Sequence, residues 1–188
     1  MAQLSKLESD LGYVRSVVTR AETRPAPTAI YLLWAAIVVV GFPLADFAPR
    51  HTGTFWMIAG PVGWVISIIV GARAARARGE YDTRLGLRHM AHWGVMLLAV
   101  FMAVLLPARG VTSWEVMGPL ALLIVATGYV MAGVHLDRLL LWPGLMMAVG
   151  FVVLLFGVGY TWTVVGVLVA GGLVVSSLAG GRQRATES

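Results

Sequence analysis

Six apolar runs, each close to 20 residues long, dominate the chain: roughly 28–47, 54–72, 90–107, 114–133, 139–157 and 161–179. A helix of about 20 residues covers the ~30 Å of a bilayer's hydrocarbon core. Inside lipid there is no water to bond the backbone, so each run must satisfy its own N–H and C=O groups, and a helix does this within one segment. The alternation of a membrane β-barrel is absent. Hydrophobic residues make up 59% and charged residues 12% of the chain, against about 25% charged in a soluble domain. The expectation is an all-α polytopic membrane protein with six transmembrane helices.

The charges then suggest an orientation. With an even number of spans, both chain ends lie on one side. Of the 14 Lys and Arg residues, all but Arg50 and Arg109 fall in segments on that side. The positive-inside rule makes that side cytoplasmic. Residues 1–27 carry charges and no apolar stretch, so no cleavable signal is expected and the first span serves as an uncleaved anchor. The expected organisation is a cytoplasmic amphipathic helix over 1–24, a bundle over 25–179 and a cytoplasmic tail over 180–188. One Lys against a large excess of Arg fits a GC-rich bacterial genome, and hence a bacterial inner membrane. The high isoelectric point does not indicate nucleic acid, because the basic residues sit in short clusters between spans and no reading motif is present. The basic loop 72–88 follows the same rule, or contacts anionic headgroups.

Six of the seven tryptophans fall on a grid. Trp34, Trp93 and Trp142 lie near the starts of the odd spans, and Trp56, Trp114 and Trp162 at the starts of the even ones. Within each pair of spans the Trp residues are 22, 21 and 20 positions apart. The even spans open on FWMIAGPVG, SWEVMGPLA and TWTVVGVLV, with Gly60, Gly118 and Gly166 four residues after the Trp. Interfacial Trp alone produces even spacing; the repeated Gly offset is the additional signal. It points to three tandem helical hairpins, about 28–72, 90–133 and 139–179. The Trp residues are expected to anchor at the headgroups. Pro61 and Pro119 follow two of the three glycines and, near a helix start, would cost little. In the second span Ala59, Gly63, Ser67 and Gly71 place a small residue at every fourth position, the pattern of a tight helix–helix contact, to which Gly60, Gly118 and Gly166 would add.

Leu4, Leu7, Leu11, Val14, Val18 and Ala21 alternate spacings of three and four, a short heptad seam that Pro25 and Pro27 terminate. Its mixed charges disfavour the membrane surface. Docking is expected instead, on the protein itself, on a second copy or on a cytoplasmic protein partner, through residues 1–22.

Sites for chemistry are few. The absence of cysteine removes disulfides, thiolate metal sites and a cysteine nucleophile. Nucleophile elbows, phosphate loops and zinc-protease motifs are missing. Asp46 and Glu115 lie at span ends beside Arg50, His51 and Arg109, as solvated helix ends or an outer ion-pair cluster. His89 and His92, one turn apart, and His135 at the same level are the candidates for haem or copper; interfacial histidines without metal are the simpler reading. His135, Asp137 and Arg138 read as a tight turn. No catalytic residue and no cofactor is expected. The leading function is a non-enzymatic membrane protein acting through contacts, as an accessory, regulatory or sensory component. The alternatives are a transporter or channel for a small neutral or lipophilic solute, and a haem or copper redox protein.

Overall fold

The computed structural model describes residues 11–12, 26–77, 79, 83–157 and 159–185; for 83–85 and 183–185 it describes the backbone alone. The helices are α1 (Thr28–Phe47), α2 (Pro49–Ala77), α3 (Thr83–Ala108), α4 (Trp114–His135), α5 (Leu141–Phe156) and α6 (Thr161–Ala185). Six spans, five of these helices and α5 joined to the 3₁₀ turn before it, are long and apolar enough to cross a membrane. α5 has only 16 residues, or about 24 Å at 1.5 Å per residue. The 3₁₀ turn Arg138–Leu140 runs directly into it and supplies about 6 Å more, so the two together reach across. α2, with 29 residues, spans about 44 Å. Its excess carries the exposed Arg73 and Arg76 beyond the apolar stretch.

The extra length of α2 changes the reading of Pro61. The helix starts at Pro49, where a proline's missing N–H costs nothing because the first N–H groups of a helix lack partners. Pro61 therefore sits well inside the helix rather than in its first turns. It removes the bond to the carbonyl one turn back, and α2 nonetheless runs unbroken through it. At the far end of α3, Gly110 takes φ +71°. Its N–H donates to Pro107 O, and the N–H of Val111 donates to Leu106 O. That pair of bonds is a Schellman stop, which needs a left-handed residue. Tyr160 is the one described non-glycine residue with positive φ; its ring packs on Phe47, 5.4 Å between centroids, in the α5–α6 turn.

Helices adjacent in the chain touch, and α6 closes the ring against α1. The most extensive contacts are α1 with α6 and α4 with α5, pairs that belong to different sequence hairpins, whereas α2 meets α3 only slightly. The buried faces repeat every three to four residues, as one helix face must: Tyr31, Ala35, Val38 and Phe42 on α1, and Leu122, Ala126, Tyr129 and Ala132 on α4. α6 adds Val165, Val169, Ala170 and Leu173, and α5 adds Met147. Half of the α6 span is buried, against 6% of α2 and 11% of α3. α1, α4, α5 and α6 thus hold the core, and α2 and α3 flank it. Outward side chains such as Ile58, Leu98 and Val167 are about 60% exposed. Hydrocarbon tails solvate such side chains as well as a protein core would.

The closest backbone approach is between α4 and α5. A Cβ on Gly144 would lie 2.7 Å from Val130 N, and one on Gly133 would lie 2.6 Å from the N and Cα of Leu141. Only glycine permits helices to meet at that distance. Neither residue belongs to the small-residue pattern read from the sequence.

Candidate functional site: two carboxylate clasps on the first helix

The most constrained polar group is Asp137, 4% exposed, in the turn between α4 and α5. Its Oδ1 accepts the N–H of Leu139 at 2.9 Å and caps the 3₁₀ turn. Its Oδ2 accepts the phenol of Tyr31 at 2.7 Å and the backbone N–H of Ala26 at 3.1 Å. One carboxylate therefore ties the start of α1 to the α4–α5 turn. Hydrogen bonds to an ionised acceptor are the stronger kind. Ser176 of α6 reinforces the place by donating to Leu139 O at 3.0 Å. His89 of α3 lies within electrostatic reach of Asp137.

The opposite face carries a second clasp. Asp46, in the last turn of α1, accepts both the N–H of Thr163 at 2.7 Å and its hydroxyl at 2.6 Å through Oδ2. Thr163 lies in the first turn of α6, where N–H groups lack intrahelical acceptors and the helix dipole is positive. Asp46 thus caps another helix, and is no solvated end. Its partner is Thr163, while Arg50 is exposed. α1 is held by a carboxylate at each end.

The small residues of α2 turn toward α1. A Cβ on Gly63 would meet Ile37 at 2.8 Å and Trp34 at 3.2 Å, and one on Gly71 would meet Ile30 at 4.0 Å. Ser67 accepts the indole N–H of Trp34 at 3.1 Å and donates to Gly63 O; Ala59 is half-buried. The three glycines of the repeated motif meet different neighbours: Gly60 faces Leu97 at 3.9 Å, Gly118 faces Trp162 at 2.8 Å and Gly166 faces Phe42 at 2.6 Å, measured from an added Cβ.

The tryptophans divide into two groups. Trp114 and Trp142 are about 60% exposed, as interface anchors are. Trp34, Trp56, Trp93 and Trp162 turn inward. Trp56 and Trp162 meet Phe42 edge-on, each 5.6 Å between centroids, and Trp93 meets Tyr129 at 5.0 Å. An indole is large enough to fill the space a facing glycine leaves, as Trp162 does over Gly118. Trp64, outside the grid, has its N–H buried without a partner among the described residues.

The histidines occupy different surroundings. His92 Nε2 lies 3.0 Å from Gly128 O, and a carbonyl only accepts, so that nitrogen carries the proton. His89 is half-buried on the same helix, and His135 is exposed. Among the described residues no group of three or more His, Cys, Asp or Glu is placed to hold a metal ion. Of the heptad seam, Leu11 is described as helical and exposed; Leu4, Leu7, Val14, Val18 and Ala21 lie outside the described residues.

Sequence reasoning passed over Asp137 as part of a turn. The signal was present: an Asp two positions before an apolar run is an N-cap pattern. Its bonds to Ala26 and Tyr31, more than 100 positions away, had no local signature. The fold and its apolar surface define an all-α, multi-pass membrane protein. Comparison with known proteins gives no matching family, no matching curated protein and no matching solved structure.

Proposed function

We propose that this chain is a non-enzymatic protein of a bacterial inner membrane, with both ends cytoplasmic, that works through protein contacts made by its N-terminal segment. The supporting observation is the Asp137 clasp. Ala26 stands between Pro25 and Pro27, two residues with fixed φ, and its N–H is bonded to a buried carboxylate. A loose tether would leave such a position solvated. A fixed exit suits a segment that must be presented to a partner in one direction. The heptad spacing of Leu4, Leu7, Leu11, Val14, Val18 and Ala21 supplies the contact seam in this reading. The role is that of an accessory, regulatory or sensory component, and the three-hairpin repeat is part of the same reading, resting on the Trp-to-Gly spacing.

Deletion of residues 1–22 tests it. Co-purification of a cytoplasmic partner, or self-association, should be lost while the unfolding midpoint of the bundle stays unchanged. An oligomer and partner set identical to those of the full chain would overturn the proposal.

A further inference from the structure

We propose that the groove between α5 and α6 is a binding site for an anionic phospholipid. The groove encloses about 310 Å³ and is lined by Trp142, Met146, Val167, Leu168, Gly171 and Val175. Its floor is a close crossing: a Cβ on Gly172 would lie 3.4 Å from Met146 and 3.7 Å from Pro143 Cα. Gly171 opens its outer side, since a Cβ there meets nothing within 4 Å. Its lining is apolar along its whole length, the chemistry of an alkyl chain. Its apolar lining and its position on a spanning surface make hydrocarbon the natural occupant.

The rim selects the headgroup. Trp142 is 60% exposed, at the groove end where α5 begins, the level where an indole lies among headgroups. Arg138 is exposed one turn earlier in the chain, in the 3₁₀ turn that packs against α6. Its neighbour Asp137 is buried and committed to Ala26, Tyr31 and Leu139. Arg138 is thus the exposed charged side chain of this turn, and an Arg offers a phosphate two parallel donors. The occupant is a phospholipid with a net negative headgroup on Arg138 and one acyl chain beside Gly171.

Native mass spectrometry of the full-length protein, released from micelles titrated with phosphatidylglycerol or phosphatidylcholine, tests this. One phosphatidylglycerol should be retained in preference to phosphatidylcholine. Arg138→Gln should weaken that retention about fivefold, the worth of one basic residue at an anionic surface, and Arg138→Lys should restore most of it. Gly171→Leu, which fills the groove, should abolish retention of the bound lipid. Equal retention of both lipids by the wild type, or an adduct indifferent to Arg138→Gln and Gly171→Leu, overturns the proposal. So does a dimer that Gly171→Leu dissociates, which would make the occupant a second copy. Should Gly171→Leu fail to fold, Arg138→Gln decides alone, because it changes an exposed side chain.

Discussion

Replacing Asp137 by Ala removes the two hydrogen bonds that fasten the start of α1 to the α4–α5 turn and the one that caps the turn itself. The N-cap to Leu139 is worth about 1 kcal/mol. The Tyr31 bond, short and made to a carboxylate, is worth about 1.5–3 kcal/mol. Ala26 lies at the rim, where water replaces part of what is lost, and contributes about 0.5 kcal/mol. Ala26 and Tyr31 each have a further interaction, so neither is stripped bare and the low end of the range applies. The expected loss is therefore about 3–4 kcal/mol. Reversible unfolding in mixed micelles with increasing SDS, followed by circular dichroism, measures it. Asp137→Asn keeps one acceptor oxygen and should cost about half as much. A double-mutant cycle of Asp137→Asn with Tyr31→Phe should show a coupling of about 1–2 kcal/mol. An Asp137→Ala variant within about 0.5 kcal/mol of wild type, or strict additivity in the cycle, would refute the argument.

Three further outcomes follow from the packing. Gly144→Ala sets a methyl against backbone at Val130 and should lower stability by about 1–3 kcal/mol, whereas Gly171→Ala meets open space and should be neutral or slightly stabilising; the same SDS titration compares them. At the other end of α1, Thr163→Val and Asp46→Ala should each cost about 1–2 kcal/mol, with Thr163→Ser close to wild type in thermal unfolding. Ser67→Ala should cost about 1 kcal/mol by stranding the Trp34 N–H, and should cost less in a Trp34→Phe background, a difference that unfolding of the four variants reads directly.

The candidate site was only partly legible before folding. The small residues at Gly63, Ser67 and Gly71 could be read as one helix face, and the structure sets that face against α1. Asp46 and Asp137 stood in the sequence as span ends, but their partners are 117 and 106 positions away, at Thr163 and Tyr31. Periodicity reports which face is apolar; it carries no information on which polar groups meet across the bundle. The tryptophans show the same limit. Spacing placed six at span ends, and an indole at a span end can lie among headgroups or turn inward. Facing aromatic residues and glycines decided for Trp34, Trp56, Trp93 and Trp162, as Phe42 did for two of them.

By itself the sequence determined the number of spans, their helical nature and the apolar outer surface. The reason is local: hydrocarbon leaves a backbone no partner but itself, so run length and composition are sufficient. Tertiary structure alone decided which helices are neighbours. The heaviest contacts run from α1 to α6 and from α4 to α5, across the boundaries that the repeat spacing suggested. Lipid tails solvate apolar side chains as well as another helix does, so hydrophobicity does not choose partners within a membrane. Shape and hydrogen bonding choose them: Gly133 and Gly144 where backbones approach, and Asp46 and Asp137 where the ends of α1 are fastened.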